Sequence, residues 1–158
     1  RDAVAEAKSG VPGSGREGMA LAQYIAGMGF SNVGLGVDHS MAHTLSAHFD
    51  TPHGVACAML LPIAMEFNKP VVTERLAQVA VAMGVDTTGM STDEAADAAI
   101  AAVKQLSVDV QIPTVCEAIT EDELDTLTKD AMADACFPGN PREATYDDVM
   151  GMFRQIMK

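Results

Sequence analysis

The sequence predicts an all-α fold, and three observations carry that prediction. Apolar residues recur at three- and four-residue spacing in segment after segment along the chain. Helix-start signatures, Ser91 with Glu94 and Thr120 with Glu123, stand before two of those segments. Nowhere does a β-branched, strictly alternating run read as a strand. With 158 residues and 48% hydrophobic composition, the chain suffices for one domain that buries around two-thirds of its unfolded surface.

Arg1 to Lys8 is helix-compatible, and Ser9 to Gly15 is a loop by its Gly, Pro and Ser content. From Arg16 to about Phe30, Met19, Ala20, Leu21, Tyr24, Ile25 and Met28 recur at helical spacing. Gly27 and Gly29 inside this helix each cost about 1 kcal/mol against Ala and suggest close packing. Their G-x-G lacks the third glycine and the preceding strand that a phosphate loop needs. A histidine-bearing helix is expected from about Asn32 to Phe49. A nearly all-apolar core helix follows from Pro52 to Phe67, kinked at Pro62, and another runs from Val71 to Met83 and ends at Gly84. The Ser91–Glu94 box opens an Ala-rich helix to about Val108, and Gln111-Ile112-Pro113 breaks the pattern. Thr120 with Glu123 opens a helix to about Cys136. After a loop from Phe137 to Glu143, Thr145 begins the last helix.

A formal net charge of −12 and the lack of a basic patch argue against nucleic acid as a partner. The longest wholly apolar run, Val55 to Met65, is short for a bilayer and contains Pro62, so membrane insertion is not expected. Cys57, Cys116 and Cys136 are odd in number and form no C-x-x-C, which fits reduced thiols in a cytoplasmic setting. The carboxylates near helix starts, Glu94, Asp97 and Glu121 to Glu123, complement helix dipoles, and the eleven methionines suit core filling.

Chemistry concentrates in Gly36 to Gly54, which holds all four histidines within fifteen residues. His39 and His43, four apart, share one helix face. His48, nine residues from His39, points to the opposite side and falls outside the site. Thr51 as cap and Pro52 as first helical residue place His53 in the first turn of the next helix, where it can meet His39 and His43 at the corner. Asp38 lies about 100° round the helix from His39 and does not easily face the same ion. Since zinc takes four ligands, or three plus water, either the site is open and catalytic or its remaining ligands lie outside this chain.

The string A-Q-Y-I-A-G-M-G-F-S-N-V-G-L-G (Ala22 to Gly36), then H-S-M-A-H, T-P-H-G-V-A, L-L-P and G-N-P-R-E-A-T (Gly139 to Thr145), resembles the iron-containing (group III) alcohol dehydrogenases, especially lactaldehyde reductase and propanediol dehydrogenase-like members. The resemblance covers essentially the whole chain. It implies that residues 1–158 form the C-terminal α-helical metal-binding domain, like the α domain of dehydroquinate synthase-type proteins. It also implies that His39 and His53 are metal ligands and that His43 lies beside the nicotinamide and substrate cleft as the catalytic, cofactor-contacting histidine. The family's other two ligands, an Asp and a His four apart, have no D-x-x-x-H counterpart here, and its G-G-G-S cofactor loop is missing. With Arg1 rather than Met at the start, the chain is therefore expected to be a piece of a longer protein. Two departures stand out: Asp38 replaces the usual apolar residue before the first metal histidine, and Cys57 occupies a position where Asn is common.

The function implied is hydride transfer between NAD(H) or NADP(H) and a small alcohol or aldehyde. Iron(II) comes from the resemblance, while the ligand types also permit zinc. Further copies of the chain, in a homo-oligomer, are the expected protein partners. A competing expectation is a non-catalytic helical module with a structural zinc or no metal.

Overall fold

In a computed structural model that describes residues 1–158, the chain is entirely helical, without a strand. Its seven α-helices are α1 (Asp2–Ser9), α2 (Gly15–Val33), α3 (Val37–Phe49), α4 (His53–Ala82), α5 (Thr92–Asp109), α6 (Leu124–Ala133) and α7 (Tyr146–Ile156), with 3₁₀ turns at Glu121–Glu123 and Phe137–Gly139.

Amphipathic periodicity builds the core. In α7, Val149, Met152, Phe153 and Ile156 fall at the i, i+3, i+4, i+7 positions of one face, and all four are buried. They meet Val37, Met41 and Leu45 of α3, Met59 and Leu60 of α4, and Leu124 and Leu127 of α6 in one cluster. The expected capping pairs are present. Ser91 accepts from the Glu94 N–H and Glu94 from the Ser91 N–H, the Glu123 carboxylate accepts from the Thr120 N–H and hydroxyl, and a further reciprocal box, outside those expected pairs, joins Thr145 to Asp148. Small Ala96, with Ile100 and Leu76, lets α5 lie close along α4 in a second cluster. By contrast, α2 packs mainly on α1, and Leu21, Tyr24, Ile25, Met28 and Val33 stay exposed.

Several boundaries differ from the sequence-based expectation, each for a physical reason. The histidine helix starts at Val37, not Asn32, because α2 continues to Val33 and Gly34 then takes a positive φ of 82°. Gly36 cannot carry a side chain, since a Cβ there would sit 2.7 Å from Asn140 Oδ1. Pro62 does not break its helix. The two helices expected around Phe67 and Val71 are one rod of 30 residues, bent at Val72 (φ −130°, ψ 22°) two positions after Pro70. Beside the bend the Thr73 hydroxyl donates to the Lys69 carbonyl at 2.7 Å. Pro52 occupies the capping position of α4, Thr51 makes no capping bond, and His53 is the first helical residue. By length and apolar content α4 alone could cross a bilayer. Here it packs on α3 and α5 and carries Glu66 and Lys69, which pair with Lys104 and with Asp93 and Asp97.

Finally, α6 ends at Ala133, a turn before Cys136. Asp134 leaves the helix with ψ 142°, and its Oδ1 accepts from the Cys136 N–H at 2.8 Å.

The G-N-P-R segment is a clasp. Asn140 Oδ1 accepts from the Val37 N–H at 3.3 Å and from Asn68 Nδ2 at 3.0 Å, while its Nδ2 donates to Asn68 Oδ1 (2.8 Å) and the Arg142 carbonyl (2.6 Å). Arg142 donates to the Phe67 carbonyl at 2.6 Å and stacks its guanidinium 4.1 Å from the centre of the Phe67 ring. The start of α3, which carries His39, is thereby tied to the middle of α4 and to the loop after α6.

Candidate metal centre

Successive helices α3 and α4 meet at a short corner, Asp50 to Pro52, and Asp50 takes the left-handed conformation there (φ 52°, ψ 24°). This corner folds the first turn of α4 back against α3. His39 and His53 then lie with ring centres 5.5 Å apart, His43 and His53 stack at 5.2 Å, and His39 and His43 meet edge-on at 6.1 Å. The structure thus brings together the three histidines that the spacing groups. His48 points elsewhere: its Nε2–H donates to Asp130 Oδ2 on α6 at 2.7 Å.

Within the cluster each ring has its own surroundings. Burial lowers the pKa of His39, helped by the neighbouring His53 and His43, against an opposing effect of Asp134. At neutral pH its imidazole is unprotonated, the form that coordinates a metal. His43 turns the other way, and Nδ1 lies 3.0 Å from Asp134 Oδ2. A carboxylate there accepts Nδ1–H, so the pairing assigns the tautomer with Nε2 free. Burial pushes the Asp134 carboxyl up, but hydrogen bonds from Cys136 and His43 outweigh it and hold the pKa below the usual value.

Two further side chains complete the site. Asp38 Oδ2 approaches His39 Nδ1 at 3.4 Å, a contact that helical phase alone did not indicate. Its Oδ1 is buried without a hydrogen-bond partner, and burial raises the carboxyl pKa to about 7. Cys57, one turn along α4 from His53, has its Sγ 3.6 Å from His53 Nε2. Burial, with the Asp38 charge adding to it, pushes this thiol up to about 12.

A divalent metal fits these residues. Donor atoms of His39, His53 and Cys57 all lie within 4.8 Å of one another, the His39 ring is neutral, and a buried carboxylate oxygen without a partner lies beside it.

Sequence reasoning missed Asp134, which lies 91 residues from His43. The only local signal was its place at a helix end, two residues before an N–H that its carboxylate accepts.

An all-helical body in which imidazoles converge from two consecutive helices defines the fold class and the candidate site. Residues 6–157 match the C-terminal region of the Fe-containing alcohol dehydrogenase family, and the chain belongs to that family. It is 48% identical over 139 residues to lactaldehyde reductase of Escherichia coli strain K12, covering 87% of this chain and 36% of that protein. It is 40% identical over 142 residues to 1,3-propanediol dehydrogenase of Klebsiella pneumoniae, covering 89% of this chain and 37% of the relative. Among solved structures, an alcohol dehydrogenase from Oenococcus oeni superposes with a TM-score of 0.79 at 42% identity, covering 83% of this chain and 35% of that one. The chain spans little more than a third of the length of the curated relatives it matches.

Proposed function

We propose that His39 and His53 hold the divalent metal of an NAD(P)(H)-dependent oxidoreductase that interconverts a small alcohol and its aldehyde. The approach of these two rings to 5.5 Å, across the α3–α4 corner, is the observation that carries this reading. Family membership supports iron(II) as the ion, with zinc compatible with the same donors. When bound, such an ion supplies Lewis-acid chemistry at the substrate oxygen.

The other residues have distinct tasks. His43 stacks on His53 and keeps Nε2 free, so it can hold a proton at that atom and exchange it between substrate and solvent. Asp134 fixes the His43 ring through Nδ1. Because the side chain of His43 is about 41% exposed, the proton has a route to water. Cofactor and substrate would approach this same face, beside His43, with the nicotinamide supplying the hydride. The exposed apolar residues of α2 are a surface for packing against more of the same polypeptide or a second copy, in keeping with a homo-oligomer.

The test is NADH- and NADPH-dependent reduction of lactaldehyde and other short aldehydes by the complete protein, before chelation, after it, and after readdition of iron(II) or zinc. Turnover that disappears with the metal and returns with it is the expected result. Turnover indifferent to chelation would overturn the metal-dependent reading.

A further inference from the structure

Resting on the reading of His39 and His53 as ligands, we propose that Cys57 is a third donor from this chain to the same ion and biases the centre toward zinc. Cys57 follows His53 by four residues on α4, so the two side chains leave the same helix face one turn apart. Its Sγ stands 3.6 Å from His53 Nε2, and the donor atoms of His39, His53 and Cys57 are mutually within 4.8 Å. With Zn–N near 2.05 Å and Zn–S near 2.3 Å, the N···S edge of a tetrahedral site is about 3.6 Å. The His53–Cys57 pair therefore already has the spacing of two donors on one ion. The donor atoms of His43 group instead with those of Asp134 and Cys136, apart from the His39, His53 and Cys57 set.

Charge favours the same occupant. Asp38 Oδ2 lies 3.4 Å from His39 Nδ1 and its Oδ1 is buried without a partner, so a dication would enter a pocket with an acidic side chain already beside it. On binding, the Cys57 S–H bond breaks, its proton passes to solvent, and the sulfur lone pair forms the bond to the metal. Nothing is oxidised or reduced. A thiolate is a softer ligand than imidazole or carboxylate, and adding one strengthens zinc binding more than binding of iron(II).

The experiment titrates the complete, metal-free protein with cobalt(II), then measures zinc and iron(II) affinity by competition with a chromophoric chelator. The expected result is a near-ultraviolet thiolate-to-cobalt charge-transfer band in the parent protein. Cys57→Ser and Cys57→Asn should abolish the band, weaken zinc by at least about tenfold, and narrow the zinc-over-iron preference. Cys136→Ser should retain it. The parent's band needs no variant to be read, and circular dichroism checks that each variant keeps its helices. Cobalt binding that depends on His53 but gives no such band, with zinc affinity unchanged in both Cys57 variants, overturns the role of Cys57 and leaves the His39–His53 centre standing. A band lost in Cys136→Ser instead also overturns it. Cobalt that binds His53→Ala as tightly as the parent, or does not bind at all, overturns both.

Discussion

Replacing Asn140 with Ala tests how the G-N-P-R clasp sets the metal centre. The substitution removes four hydrogen bonds: those from Val37 N–H and Asn68 Nδ2, and those to Asn68 Oδ1 and the Arg142 carbonyl. At about 1 kcal/mol net for each bond the loss would approach 4 kcal/mol, but the abandoned partners are half-buried and regain water, so about 2–3 kcal/mol is expected. For a chain of this size that corresponds to roughly 4–12 °C in Tm. Because the Val37 N–H is at the first turn of the helix that carries His39, metal affinity should fall as well. Urea unfolding of the chelated protein measures the first effect, and a double-mutant cycle with Asn68→Ala isolates the amide pair, with an expected coupling of about 1 kcal/mol or more. A stability loss below about 0.5 kcal/mol, or additive single variants, would refute the clasp.

Three further outcomes follow from the site and the caps. His39→Ala and His53→Ala should each lose metal and activity together, whereas His43→Ala should keep metal and turn over more slowly, and His48→Ala should change neither; metal analysis beside steady-state rates separates them. Asp38, held at about 7 by burial against an ordinary 3.8, binds a proton in the folded protein that the unfolded chain has already lost between those two pH values. Stability of the metal-free protein should therefore fall as pH rises from about 4 to 7, and Asp38→Asn should remove that slope and gain at most about 4 kcal/mol above pH 7, as read by urea unfolding at a series of pH values. Thr145→Ala breaks the reciprocal box at the start of α7 and should cost about 1 kcal/mol in the same assay.

What was legible in the sequence is what local chemistry decides. The helix starts at Ser91, Thr120 and Thr145 depend on residues within a few positions of one another, so spacing suffices to find them. The grouping of His39, His43 and His53 was legible for the same reason, since a four-residue step and a short corner fix their relative placement. Long-range contacts hid the rest. The start of α3 depends on the Val37 N–H meeting Asn140 across 103 residues, and a Cβ at Gly139 would strike the Leu35 carbonyl. Pro62 and Pro70 look alike as helix breakers, yet the rod bends only after Pro70, where the Thr73 hydroxyl covers a carbonyl. Asp38 and Asp134 each touch a histidine through side-chain rotation or a chain reversal that helical phase does not register.

Anomalous diffraction from crystals of the complete, metal-loaded protein, recorded at the iron and zinc absorption edges, tests the central claim most directly. One peak within about 2.0–2.2 Å of an imidazole nitrogen of both His39 and His53 is the predicted result. An ion bound elsewhere, with the His39 and His53 rings free of it, would contradict the account.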